Sequence, residues 1–412
     1  MSVFTIYCHG TGGHRDKPDK EIVAFLGRGA TGQEYKEYLI LDGVGGTPKG
    51  KTNPMAGTFN WADKNKAPKG KTPIEQGGGS VTKTAAIASA TGFGVEDNAR
   101  HAIVAIANLP QLPDTVNMIG WSRGAVTALV IANMLYDPSS TEGLFRSIKV
   151  NIFAIDPVAG ADAGVGKDAE SRRLICANVK NYLGIIATGE NRKTFKPQDL
   201  ARVHIADLNS NVMFLPFPGK HSSSPQNNDP KTLEVSQISW SLAVQFLKYF
   251  GTPCERPLHL FSIQDYLEKY SYILTHHDQF AKVKQKGFKQ FMIGMGFGKR
   301  DITKNMADYV RYPEYFINEH HRACFDFLFP NLSRWLLNPA AGNMNTEKAA
   351  ATKEVKDQRD VSPEFMKTLP MLGVTFDSAK NPQLPQAGSL FDQSALADSQ
   401  AKGSLLRMGL VI

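Results

Sequence analysis

Short apolar runs alternate along this chain with stretches of helical periodicity, and that alternation limits the fold more than any other feature. The runs are "VFTIYCHG" (3–10), "EYKEYLILDG" (34–43), "TVNMIG" (115–120), "KVNIFAID" (149–156) and "ARVHIADL" (201–208). Apolar side chains at successive positions suit strands covered on both faces, as in a parallel sheet. Between them, "VEDNARHAIVAIANL" (95–109) sets Ala99, Ile103, Ala105, Ile106 and Leu109 at helical spacing, and "RGAVTALVIANMLY" (123–136) is apolar almost all round. Such helices pack under a sheet. The expected fold is α/β, a doubly wound parallel sheet with flanking helices.

With 412 residues, 42% of them hydrophobic, the chain can bury a large core. One domain is expected over residues 1–257, with a long Gly-, Lys-, Pro- and Thr-rich excursion (46–95) over the carboxyl edge of the sheet. Strand signals stop after about residue 258. Aromatic-rich helical segments run to about 337 as an appendage or lid, and the tail 338–412, rich in Ala, Lys, Gln and Ser, reads as loosely ordered. The net charge of +8 favours an anionic partner such as a membrane surface, but there is no block of consecutive basic residues and no nucleic-acid partner is expected. Cys8, Cys176, Cys254 and Cys324 show neither metal-ligand spacing nor disulfide density, so reduced thiols are expected and no metal or cofactor. The N-terminus lacks the basic and apolar segments of a cleaved signal, and no run approaches the ~18 apolar residues of a membrane span. Export, if it occurs, needs a route without a cleaved signal.

Two motifs compete for the site. "LDGVGGTPKGKT" (41–52) has P-loop spacing, Gly45 followed by Gly50, Lys51 and Thr52. A P-loop needs a helix opening at the Lys-Thr pair to help cradle the phosphates. Here Pro54 and Gly57 interrupt that first turn. In "VNMIGWSRGAVTALV", by contrast, Gly120, Ser122 and Gly124 form G-x-S-x-G where a strand turns into a helix. That is a nucleophile elbow, whose tight turn demands small residues beside a serine lifted to a helix N-terminus.

An elbow serine needs an acid, a base and an oxyanion hole, in the chain order Ser, acid, His. Asp156 closes the strand "NIFAID" and precedes Pro157, which suits the acid. Downstream histidines are His204, His221, His259, His276, His277, His320 and His321. His204 lies in a strand-like run and the later pairs in helical segments, whereas His221 lies in "PFPGKHSSS", a loop of the kind that presents catalytic groups. The turn "CHGTGG" offers the backbone N–H of Thr11 or Gly12, with that of Arg123 as partner. His9, placed before the serine, reads as a supporting residue.

The blocks "YCHGTGG", "LDGVGG", "GWSRGAVTA", "FAIDPV" and "FPGKHSS" follow the order found in the bacterial α/β-hydrolases that include the type VI secretion lipase effectors, and the chain resembles that family over roughly residues 3–225. Two positions depart from it: Cys8-His9 where Phe-Asp is common, and Ser223 where an Asp usually follows the histidine. The resemblance implies an α/β-hydrolase fold with Ser122 as nucleophile, Asp156 as acid and His221 as base. It implies a phospholipase A-type serine esterase acting on membrane phospholipid and delivered as a secreted effector, with a secretion apparatus, chaperone or immunity protein as partner classes. The alternatives are a P-loop NTPase and a non-catalytic basic module that binds membrane or nucleic acid. Lys49, Lys51, Lys64, Lys66, Lys69 and Lys71 on the excursion are expected to hold the enzyme on anionic bilayers.

Overall fold

The structure is a computed structural model. It describes residues 2–15, 21–44, 94–138, 142–160, 172–187 and, apart from 191–194, 196, 199–201, 208 and 218, residues 189–254. Beyond these it describes scattered positions within 260–276, Asn331, the helix 344–359 and residues 375–384. The P-loop-like residues Gly45, Gly50, Lys51 and Thr52 and the six excursion lysines lie outside the described residues.

Six strands form one parallel sheet: β1 (Val3–Cys8), β2 (Tyr38–Leu41), β3 (Thr115–Trp121), β4 (Lys149–Ile155), β5 (Val179–Ala187) and β6 (Asn211–Phe217). Their order is β2-β1-β3-β4-β5-β6, every neighbouring pair parallel. The chain therefore leaves β1 toward one edge and returns for β3 on its other side. The crevice at that switch point, beyond the carboxyl ends of the strands, is where open α/β sheets bind ligands.

Alternate residues of each strand feed two cores. On one face Phe4, Ile6, Met118, Ile152, Tyr182 and Phe214 pack with α2 (Val95–Ala107) and α3 (Arg123–Tyr136). On the other, Tyr7, Ile119, Phe153, Leu183 and Met213 pack with α1 (Ile22–Arg28) and α4 (Leu233–Tyr249). Helices on both faces explain why the strands read as continuous apolar runs. They also explain α3, which is buried over nearly its whole length beneath the centre of the sheet.

At the amino end of the sheet the apolar pattern gives way to a row of amides. Asn117, Asn151, Asn181 and Asn211 occupy facing positions on β3, β4, β5 and β6. Asn211 Nδ2 donates to Asn181 Oδ1 (3.2 Å), Asn181 to Asn151 (2.8 Å) and Asn151 to Asn117 (2.9 Å). Asn117 Nδ2 then donates to the Phe250 carbonyl just beyond α4 (2.8 Å) and to Thr252 Oγ1 (2.9 Å), whose hydroxyl meets Thr5 of β1 at 2.9 Å. Since Asn117 and Asn151 are buried, a strand slipped along its neighbour would strand amides without partners.

Two strands differ from the sequence reading. "ARVHIADL" contributes only the two-residue strand His204–Ile205, paired with Leu174–Ile175 outside the main sheet. The sheet is instead completed by β5 and β6, whose apolar signal is diluted by Lys180 and Asn181 in the one and Asn211 and Pro216 in the other. Pro216 is tolerated because β6 is an edge strand, where a missing N–H costs least. Within the segment read as a loosely ordered tail, Met344–Arg359 forms a helix, α5, with Ala351 and Val355 buried. Among the described residues no helix is long and apolar enough to cross a membrane.

Asn151→Ala is expected to lower stability by about 2–4 kcal/mol in urea unfolding, since it orphans groups on both neighbours, while Asn211→Ala at the end of the row costs about 1 kcal/mol. A pH dependence follows from α2. His101 is buried, stacked on Tyr35 with ring centroids 5.9 Å apart and 3.3 Å from its hydroxyl. Burial first, then Arg15, lowers its pKa to about 4. An unfolded histidine titrates near about 6.5, so below that pH the unfolded chain takes up a proton that the fold refuses. Stability should fall as pH drops from about 6.5 toward 4, and His101→Gln should flatten that slope in urea midpoints measured across the range.

Candidate active site

β3 delivers its last residue, Trp121, to the carboxyl edge, and the next residue turns sharply into α3. Ser122 takes φ 57° and ψ −121°, a conformation that costs a non-glycine residue roughly 1–3 kcal/mol and persists only where its surroundings enforce it. They do so here through bonds on both sides of the residue. The Ser122 N–H donates to the Ile155 carbonyl at 2.9 Å, and the Ser122 carbonyl accepts from Val126 and Val158, each at 3.3 Å. A Cβ at Gly120 would stand 2.5 Å from the Ala125 nitrogen, and one at Gly124 only 2.1 Å from the Cys8 carbonyl oxygen. The small residues of G-x-S-x-G are thus required by two backbone contacts, one within the turn and one with the end of β1.

Asp156 follows β4 directly, fully buried and at φ 41°. Its N–H donates to the Ile185 carbonyl at 2.6 Å, and its Oδ1 accepts the Ala187 N–H at 3.0 Å, so β5 fixes the carboxylate from the side. Its Oδ2 lies 2.5 Å from His221 Nδ1. A buried carboxylate accepts, so Nδ1 carries the proton of this bond and a neutral ring presents Nε2 as its basic nitrogen. Asp156 thus holds His221 through its side chain and β5 through its backbone.

His221 arrives on the loop after β6 and is held at its backbone as well. Its N–H donates to Glu190 Oε2 at 3.1 Å, and its carbonyl accepts the Trp121 indole N–H at 3.2 Å. The imidazole packs 5.4 Å from the Trp121 ring and 5.0 Å from the Phe195 ring. Because Trp121 immediately precedes Ser122, these contacts bring the serine's turn and the histidine together. Ser223 closes the loop, its Oγ accepting the Lys220 N–H at 3.0 Å while its own N–H donates back to the Lys220 carbonyl at 2.8 Å.

The turn after β1 lies against the start of α3, as the Gly124 contact requires. Its Gly12 N–H donates to the Val44 carbonyl at 2.9 Å, and its Gly13 N–H to Gly10 at 2.7 Å. Of the two donors the sequence offered, Gly12 is therefore already engaged, and Thr11 is the one carried forward. Thr11 Oγ1 accepts a bond from Arg123 Nη1 at 2.8 Å. His9 pairs elsewhere: its Nδ1 lies 3.2 Å from Oε2 of Glu21, whose Oε1 caps α1 by accepting the Val23 N–H at 2.8 Å. Beside it the Ile22 N–H donates to the Pro225 carbonyl at 3.0 Å, tying α1 to the end of the His221 loop.

Of the other downstream histidines, the two that are described lie elsewhere. His204 is exposed on its short strand, and His276 stacks on Tyr272. His259, His277, His320 and His321 lie outside the described residues. Sequence reasoning missed Glu190, Phe195 and the side chains of Trp121 and Arg123. Of these, Trp121 and Arg123 were marked only by lying inside the G-x-S-x-G motif. Among the described residues no group of three or more His, Cys, Asp or Glu is arranged to hold a metal ion.

No family model and no curated protein matches the sequence. Among solved structures the chain is similar to an uncharacterized protein from Pseudomonas aeruginosa, at 14% identity and a TM-score of 0.39, covering 98% of this chain and 66% of that one. It is also similar to the Tle1 effector bound to the VgrG spike from the Type 6 secretion system, at 16% identity and a TM-score of 0.31, covering 55% of this chain and 52% of that one. The chain thus spans between half and two thirds of the length of these two proteins.

The close contact at Gly124 is directly testable. Gly124→Ala should cost about 3 kcal/mol or more of stability, because the added methyl meets backbone that cannot swing aside. A Gly124→Ala protein with wild-type thermal stability would contradict that packing.

Proposed function

We propose that the chain is a carboxylic ester hydrolase working through an acyl-enzyme on Ser122. The observation that carries the reading is the buried Asp156–His221 hydrogen bond at 2.5 Å, held beside a serine in a strained strand-to-helix turn. A packed structural histidine has no need of that serine geometry, and an ordinary turn has no need of a buried carboxylate–imidazole pair.

In this reaction Ser122 Oγ attacks the ester carbonyl as His221 Nε2 takes the hydroxyl proton. The oxyanion of the tetrahedral intermediate is held by the N–H groups of Arg123 and Thr11, with the α3 N-terminus adding its dipole. The carbon–oxygen bond to the leaving group then breaks, and His221 returns the proton to release the alcohol. Water attacks the acyl-serine, giving its proton to the same nitrogen, and the acid leaves as Ser122 regains its hydrogen. Asp156 keeps the imidazole in the tautomer that both half-reactions need and stabilises the imidazolium formed in each.

The substrate proposed is a membrane phospholipid cleaved at an acyl ester, and the biological role that of a secreted bacterial effector. The motif blocks support this finer reading; the likeness to the Tle1 structure does not carry it. Under this reading residues 1–257 are the catalytic domain, 258–337 a lid or membrane-facing appendage and 338–412 a tail.

Ser122→Ala, His221→Ala and Asp156→Asn should each lower ester hydrolysis by roughly three to five orders of magnitude without unfolding the protein, and their effects should not add. Fluorophosphonate labelling of the wild type should vanish in Ser122→Ala. Mass spectrometry of phospholipid vesicles should show free fatty acid and lysophospholipid only with an intact triad. Undiminished hydrolysis by His221→Ala would reject the assignment of the base, and a wild type that neither labels nor hydrolyses would reject the enzyme.

A further inference from the structure

We propose that the Arg123 guanidinium is a positioning group for the oxyanion hole, locking the Thr11 hydroxyl so that the turn after β1 presents its donors to the anion formed on Ser122. The inference rests on the acyl-transfer reading above and assigns to the Arg123 side chain a task beyond that of its backbone.

The two halves of the hole come from residues 112 positions apart in sequence, one on the turn after β1 and one on the first turn of α3. Within the β1 turn, the Gly12 and Gly13 amides are spent on Val44 and Gly10. Those bonds shape the turn but do not join it to α3. The Arg123 Nη1–Thr11 Oγ1 bond at 2.8 Å does, and it runs between the two residues whose backbone N–H groups the mechanism uses. An error of about 1 Å in such a site costs on the order of a hundredfold in rate, so a cross-tie at this point acts directly on catalysis.

The chemistry of the pair adds to its geometry. A guanidinium only donates, so Thr11 Oγ1 is the acceptor in this bond, and the hydroxyl proton remains a donor alongside the backbone N–H. Arg123 is 7% exposed, so the donor of this charge-assisted bond is buried while its acceptor Thr11 is half-buried. Burial, and secondarily the neighbouring Arg172, brings its pKa down to about 10, which leaves it protonated at neutral pH. A fixed positive charge on the side chain that holds Thr11 also biases the turn toward binding an anion.

Thr11→Val keeps the shape of the side chain and removes its oxygen, whereas Thr11→Ser keeps the oxygen and removes a methyl group. With a soluble short-chain ester, Thr11→Val should lower kcat by roughly tenfold to a hundredfold with KM little changed. Its affinity for a trifluoromethyl ketone, which forms a hemiketal oxyanion on the nucleophilic serine, should weaken by the same factor. Thr11→Ser should recover most of both. Arg123→Met should reproduce the Thr11→Val loss, with Arg123→Lys intermediate. Because Thr11 is only half-buried, thermal unfolding of Thr11→Val should match the wild type, separating this effect from misfolding. If Thr11→Val hydrolyses the ester and binds the ketone as the wild type does, or if Thr11→Ser is impaired as severely as Thr11→Val, the positioning role is wrong while the triad stands. A wild type without hydrolysis or fluorophosphonate labelling would overturn both readings.

Discussion

The row of asparagines at the amino end of the sheet is the constraint on which the geometry at the other end depends. Parallel strands have no hairpins to set their register, and those of this sheet are joined by long crossovers. Side-chain amides linked across β3, β4, β5 and β6 supply what the connections cannot. With Asn117 facing Asn151 and Asn151 facing Asn181, Trp121 comes level with Ile155 and Ile155 with Ile185. Ser122 and Asp156 therefore emerge side by side, and the carboxylate meets the amide of Ala187. A sheet is stiff along its strands, so a register set at one end is kept at the other.

The backbone of each site residue is itself tied down. Ser122 is held in its turn by the carbonyl of Ile155 and the amides of Val126 and Val158. His221 is held by Glu190 at its N–H and by Trp121 at its carbonyl. Groups fixed in this way need little reorganisation when charge develops, as the proposed acyl transfer would require. The same rigidity is bought with strain at Ser122, a local cost that the two flanking cores can carry.

Much of this was legible before the coordinates. Four sheet strands and the α3 helix follow from apolar runs and a G-x-S-x-G at a strand–helix junction. Ser122, Asp156 and His221 were proposed from that motif, a strand-terminal Asp and a Pro/Gly-shaped loop, and the last two are hydrogen-bonded to each other. β5 and β6 were hidden because Lys180 and Pro216 add to the asparagines and dilute the apolar pattern, whereas the single asparagine in β3 and in β4 leaves an apolar run legible. "ARVHIADL" misled for the converse reason, its apolar residues serving a two-residue pairing at the periphery. The Glu190–His221 and Arg123–Thr11 bonds were illegible because they join residues far apart in sequence. The engagement of the Gly12 amide by Val44 is a further case, since backbone partners leave no mark on residue identity.

The anchoring of the amide row to Phe250 and Thr252 also bears on how the chain folds as it is made. Asn117 lies on β3, one of the two central strands, yet its amide is satisfied by Phe250 and Thr252, 133 and 135 positions further on. His221 is likewise secured through Pro225 to the first helix of the chain. Contacts of such sequence separation are slow to form, because the entropy of closing a long loop is lost before the contact returns anything. A nascent chain that stops short of residue 250 holds β1, β3 and β4 with their row of amides unfinished. The residues just after α4 therefore complete the row late: until Phe250 and Thr252 have been made, Asn117 lacks the partners that end the row.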